Sequence, residues 1–154
     1  MENRFLSRAK RKDNGEWITG YYVKGMDAYE KEVYLMFEPT TTFYSYGETD
    51  GFVEVDPSTI CRCTGIDKNG RLIWENDIIK DLFSDTAAPI RYGNYQNCFD
   101  STKAGHVGFY VDWSGKYTKN YRKDLGYWIH MVDTEIIGNA IDNPELLDSG
   151  HDGE

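Results

Sequence analysis

The chain has 154 residues, 40% of them hydrophobic and 28% charged, with a formal net charge of −9. This composition excludes a disordered polymer, and no apolar run approaches the ~18 residues that a spanning helix needs. Five acidic residues (Asp142, Glu145, Asp148, Asp152 and Glu154) crowd the C-terminal end without a Lys or Arg, leaving 21 acidic against 17 basic residues in a body of net charge −4. Such a body repels a phosphate backbone unless a local basic patch overrides it, so bulk coating of nucleic acid is excluded.

The first twelve residues lack the apolar stretch of a signal peptide, and three cysteines fit reduced thiols better than a disulfide framework. Residence in the cytosol is therefore expected. After the Asp13-Asn14-Gly15 turn, Glu16 to Lys24 is predicted as a strand, with Trp17, Tyr21 and Val23 on one face and Ile18 and Tyr22 on the other. Apolar residues on both faces imply two-sided burial. Glu32 to Phe37 follows, placing Val33, Leu35 and Phe37 together until Pro39 closes the run. Thr40 to Gly51 reads as a short strand and a loop around Phe43, Tyr44 and Tyr46. Phe52 to Val55 is another short strand, stopped by Asp56-Pro57.

Ile60 to Thr64 alternates with Cys61 and Cys63 on one face, and the strand continues to Ile66. Asp67-Lys68-Asn69-Gly70 is the strongest turn signal, because Asn-Gly tolerates the positive φ values of tight hairpins. Arg71 to Trp74, Asp77 to Phe83, Pro89 to Tyr92, His106 to Asp112 and Gly126 to Met131 are the next predicted strands. In the fourth of these, Val107, Phe109 and Val111 share a face. Trp113-Ser114-Gly115 makes a turn, and Glu135 to Ile141 is the last strand. Asn143-Pro144-Glu145-Leu146-Leu147 signals a one-turn helix, with Asn at the N-cap and Pro at the first helical position. No helical periodicity exceeds a turn or two. Many short strands between turn signals point to a barrel or sandwich.

Several segments together resemble one family. Phe5-Leu6-Ser7-Arg8-Ala9 with Gly15-Glu16-Trp17-Ile18-Thr19-Gly20-Tyr21 is similar to the N-terminus of YopX proteins. Val55-Asp56-Pro57-Ser58-Thr59-Ile60, then Thr64-Gly65-Ile66-Asp67-Lys68-Asn69-Gly70, resembles the family's central segments. Ile73-Trp74-Glu75-Asn76-Asp77-Ile78-Ile79 resembles the next, with Asn76 where the family commonly has Gly, and Cys63 stands where it commonly has an aromatic. Ile137-Gly138-Asn139 with Asn143-Pro144-Glu145-Leu146-Leu147 resembles its closing motif. The stretch from Asp81 to Asp124 is less family-like, and its conformation is left open.

The resemblance implies a phage or prophage origin and no enzymatic role or cofactor. It also implies a mainly β chain: an N-terminal β subdomain over residues 1–58, an SH3-like β-barrel over 59–142, then a short helical turn and flexible acidic tail over 143–154.

The residues themselves offer few chemical candidates. Cys61 and Cys63 could ligate a metal, with Cys98, His106 and His130 as remaining partners, but the spacing fits no structural zinc pattern and two packed strand residues are the simpler reading. Cys98 with His106 or His130 could form a nucleophilic pair, yet no third orienting group is identifiable. Glu75 and Asp77 could act as paired carboxylates, although such residues more often bond the backbone of their own turn. Arg8, Lys10, Arg11 and Lys12, near Trp17 and Tyr21, form the one basic cluster and the one candidate site for a phosphate backbone or an acidic partner surface. The simpler reading is a charged edge that resists aggregation.

The acidic tail could mimic DNA phosphates and block a host protein, or simply solubilise the chain. The expected function is binding to a host or phage protein without catalysis, metal or cofactor. Nucleic-acid binding through the basic cluster is the alternative. A homo-oligomer is compatible with the exposed edges and aromatic surface of such a chain.

Overall fold

A computed structural model describes residues 2–42 and 51–148. Phe43, Tyr44 and Tyr46, and the acidic tail beyond Asp148, lie outside the described residues. The fold is mainly β, as the alternating runs require, and divides into two compact units, Met1–Ile66 and Asp67–Glu154.

In the first unit, β1 is Ser7–Lys10, β2 Trp17–Met26, β3 Glu32–Phe37, β4 Val53–Glu54 and β5 Cys61–Lys68, whose last two residues enter the second unit. The antiparallel order is β4-β3-β2-β1-β5. Ala9, Ile18, Met36 and Val55 form the core, with Tyr34, Val53 and Ile60 packed against it. Full burial along β3 therefore falls on Met36, with half-buried Tyr34 on the same face packed against the core, and not on the predicted face of Val33, Leu35 and Phe37. Those residues are half-buried, and Phe37 instead packs on Tyr21 at 5.7 Å and Phe52 at 5.1 Å between ring centroids.

The expectation of two-sided burial along β2 also needs correction. Tyr22 and Val23 are 42% and 45% exposed, because the far half of the β2–β3 ribbon extends past the core. Near the core, Gly20 packs so closely that a Cβ there would lie 2.0 Å from the Phe37 carbonyl oxygen.

In the second unit, β6 is Arg71–Trp74, β7 Asp77–Asp81, β8 Thr86–Tyr95, β9 His106–Val111 and β10 Thr134–Asn139. Two short helices, α1 (Leu125–His130) and α2 (Glu145–Asp148), complete it. The order β10-β7-β8-β9 makes an open antiparallel sheet with β10 and β9 at its edges. Pairing that would close these edges into the expected barrel is absent among the described residues. Ile73, Trp74, Ile78, Ile79, Ala88, Ile90, Val111, Trp113, Leu125, Trp128 and Ile129 are its buried apolar residues.

Three elements differ from expectation. β7 stops at Asp81, because the buried Asp81 carboxylate accepts from Phe83 N at 3.0 Å and Ser84 Oγ at 2.6 Å and turns the chain there. Phe83 is then 97% exposed. β8 is longer than predicted and runs through Pro89, whose carbonyl accepts from Asp112 N at 2.9 Å just past the end of β9, where no donor from residue 89 is needed. Gly126 to Met131 is not a strand: Gly126 to His130 belong to α1 and Met131 caps its C-terminal end. Its buried residues, Leu125, Trp128 and Ile129, repeat at the spacing of a helical stripe.

The β8–β9 hairpin carries one unusual pair. Gly93 lies opposite Gly108. On that face the ring of Tyr95 stacks on His106, its cross-strand partner, at 5.1 Å, and on Tyr110 at 5.1 Å between centroids.

Candidate functional site

The predicted basic cluster is built by β1 and the turn after it. Lys10 pairs across the ladder with Trp17, and the Arg8 guanidinium and Lys10 ammonium lie 4.9 and 5.5 Å from the Trp17 ring. Arg11 forks onto Asp13 with bonds of 2.9 and 2.7 Å. That hydrogen bond holds the Asp13 carboxyl below its ordinary value. Lys12 meets Glu54 at 3.0 Å. The adjoining groove, about 380 Å³, is lined by Arg11, Lys12, Asp13, Glu54, Phe52 and Val53. Two of the four cations of the cluster, Arg11 and Lys12, thus face carboxylates, while Arg8 and Lys10 lie against Trp17.

The other candidates separate. Cys61 and Cys63 are buried on one face of β5, where Cys61 Sγ contacts Thr59 O at 3.3 Å and Gly65 N donates to Cys63 Sγ at 3.4 Å. Cys98 is exposed with Sγ 3.4 Å from Asn120 O, while His106 Nε2 lies 2.9 Å from Asp100. His130 is exposed at the end of α1. No group of three or more His, Cys, Asp or Glu is arranged to hold a metal ion among the described residues. Asp77 accepts from Trp74 N at 2.9 Å, which organises the turn in which Asn76 takes a φ of 70°. The Arg91 guanidinium donates to Asn76 Oδ1.

The motif residues behave alike, in that they build turns. Asp56 accepts from Ser58 N at 3.0 Å and starts the 3-10 turn Pro57–Thr59, whose Thr59 Oγ1 accepts from Lys10 N at 2.8 Å. The Asn143 side chain accepts from Asn139 N at 3.2 Å, where Gly138 leaves room for it, and its backbone carbonyl accepts from Leu146 N at 3.1 Å at the start of α2.

The family model described as YopX protein matches residues 7–148. The chain belongs to the YopX family. Comparison with curated proteins finds no match, and comparison with solved structures finds none either. No helix of the described residues is long and apolar enough to cross a membrane.

The polar centre of this YopX chain lies in the segment whose conformation the sequence left open. Asp124 precedes α1 and accepts from Tyr95 Oη at 3.0 Å, Asn97 Nδ2 at 3.1 Å and Arg122 Nε at 2.5 Å. Burial alone raises the Asp124 pKa, but the three donors outweigh it and hold the carboxyl below its ordinary value. Burial, then the bond to Asp124, pushes Tyr95 up to about 12. Asn97 is buried and accepts from Lys123 N at 2.8 Å, so the carboxylate and the loop that carries it are held by side chains.

Arg122 is thereby fixed between two exposed rings. Its guanidinium lies 5.6 Å from the Phe99 centroid and 5.1 Å from that of Tyr127. Phe99 and Tyr127 are 55% and 37% exposed. Beneath them, Trp113, Tyr121 and Trp128 pack at 4.9 to 5.6 Å between centroids. A carboxylate this well solvated by donors is a poor proton acceptor. An immobilised Arg between aromatic rings is the composition of a protein contact surface. The readable signal was the density of aromatics around Arg122 from Tyr117 to Trp128. The link to Tyr95, Asn97 and Phe99 is non-local and left no spacing to read.

Proposed function

We propose that this YopX-family chain is a phage- or prophage-encoded accessory protein of the host cytosol that works by binding another protein, not by catalysis. The origin and the SH3-like reading of the second unit rest on the family resemblance. The binding reading is carried by one observation: Arg122 is locked by Asp124 and lies between the exposed rings of Phe99 and Tyr127. Locking the guanidinium in advance lowers the entropy lost on association, and Arg with aromatic neighbours supplies the anchors of most hot spots. The nucleic-acid alternative draws less support, since Arg11 and Lys12 already face Asp13 and Glu54.

The test is capture from host extract by the intact chain and by a Phe99→Ala, Arg122→Ala, Tyr127→Ala variant with unchanged circular dichroism. The expected result is a protein retained by the parent and reduced at least tenfold by the variant, as for hot-spot truncations of about 1.4 kcal/mol or more. Equal retention by both would remove this surface from consideration.

A further inference from the structure

β10 offers an outer edge beside a groove. It pairs with β7 through Thr134↔Asp81, Glu135↔Lys80 and Ile136↔Ile79. Leu82 N donates to Asp133 O at 3.1 Å, so Asp133 turns its backbone toward β7. In an antiparallel ladder such residues alternate. Glu135 therefore also faces β7, while Thr134 and Ile136 aim their N–H and C=O groups away from it. β10 ends its sheet, so no strand of that sheet receives them. A bulge between Ile136 and Gly138 limits the straight edge to this stretch.

Along this edge runs a groove of about 320 Å³, walled by Lys68, Arg71 and Ile73 on one side and Thr134, Glu135 and Ile136 on the other. Lys68 Nζ donates to Thr134 Oγ1 at 2.8 Å and ties the two walls together. Ile73 is buried and Ile136 half-buried, giving an apolar floor. Two cations and one carboxylate make the groove net positive in a chain of net charge −9.

We infer that this groove takes a short, extended, acidic segment of a partner protein, added as a strand beside β10. The outward groups of Thr134 and Ile136 stand two residues apart, the repeat at which a neighbouring strand offers its own. Alternate side chains of that strand meet the Ile73–Ile136 floor, and carboxylates on it meet Lys68 and Arg71. The acidic end of a second copy is a poorer occupant, since Asp142 to Glu154 contains Pro144 and no β-branched residue. The inference rests on the protein-binding reading but not on the surface around Arg122.

The probe is a fluorescein-labelled hexapeptide of alternating valine and aspartate, titrated into the full chain and read by anisotropy and by amide shifts of isotope-labelled protein. Saturable binding is expected, with shifts at Lys68, Arg71, Ile73 and Thr134 to Ile136. Arg71→Glu, an exposed substitution, is expected to weaken it about fivefold or more. Methylating alternate peptide nitrogens, which removes ladder donors, is expected to abolish it. Absence of saturable binding would overturn the inference. So would shifts elsewhere, or equal binding by the methylated peptide or by one with lysine in place of aspartate. The Phe99→Ala, Arg122→Ala, Tyr127→Ala variant is expected to bind the peptide unchanged, so a failure at Arg122 and a failure at β10 are read separately. Loss of peptide binding in that variant would place the peptide elsewhere and overturn the inference.

Discussion

Trp128 donates its indole Nε1 to the carbonyl of Arg122 at 2.5 Å, tying α1 to the loop that presents the exposed guanidinium. The neighbouring indole is unlike it. Trp113 Nε1 is buried with no hydrogen-bond partner among the described residues. The two tryptophans pack at 4.9 Å, so they share surroundings and differ in this one bond.

That difference sets the first prediction. Trp128→Phe leaves the Arg122 carbonyl without its donor and is expected to cost about 2–3 kcal/mol. Trp113→Phe removes an unsatisfied N–H as well as packing volume, and is expected to cost about 1 kcal/mol less than Trp128→Phe. Urea unfolding of both variants measures the difference, and an equal or larger loss for Trp113→Phe contradicts it.

The glycines of β2 give the second. A Cβ at Gly20 would meet the Phe37 carbonyl oxygen at 2.0 Å, and a backbone atom cannot swing away. Gly20→Ala is expected to cost about 3 kcal/mol or more by forcing β2 and β3 apart. Gly25 on the same strand has nothing within 4 Å, and Gly25→Ala should change stability by less than ~1 kcal/mol. Thermal unfolding of the pair reads the contrast.

A third concerns the Tyr95–Asp124 bond. Tyr95 has a folded pKa raised from 10.0 to about 12, so its contribution to stability is complete below pH 10 and is lost as pH rises toward 12. Asp124 is lowered, so its contribution is complete above the ordinary carboxylate value of 3.8 and is lost as pH falls below it. Asp124→Asn removes the charge beside the phenol. The phenolate absorbance titration of Tyr95 is then expected to move toward lower pH. An unmoved titration would show that burial alone raises the group.

Thiol reactivity provides the fourth. Cys98 is exposed, whereas Cys61 and Cys63 are buried. Native protein should release colour from a disulfide reagent for Cys98 rapidly, and for the two β5 thiols only on the timescale of unfolding. Three fast thiols would place β5 at the surface.

Much of the strand pattern was legible because turn chemistry punctuated it. Asn69 and Gly70 take φ values of 53° and 79°, as their residue types announce. Asp77 bonds its own turn, the simpler of its two readings. Legibility failed where two periods overlap: Gly126 to Met131 satisfies a strand alternation, but Leu125, placed one residue earlier, completes a helical stripe with Trp128 and Ile129. It failed again in β3, where both faces are apolar and only the packing partner decides that Met36 goes inside. The surface around Arg122 could not be read, because Tyr95, Asn97, Phe99 and Tyr127 converge on it across 33 positions of sequence. The basic run from Arg8 to Lys12 could be read, but not the pairing of Lys12 with Glu54, which arrives from another strand.

The bare Gly93–Gly108 step has a consequence for how the hairpin finds its alignment. Two hydrogens facing one another cannot tell a correct pairing from one displaced along the strand, so the middle of the ladder carries no address. The address is written in the flanking rings: only one alignment sets Tyr95 against both His106 and Tyr110. A methyl at Gly108 would meet nothing within 4 Å, so it would write no address of its own and would leave the rings to set the alignment.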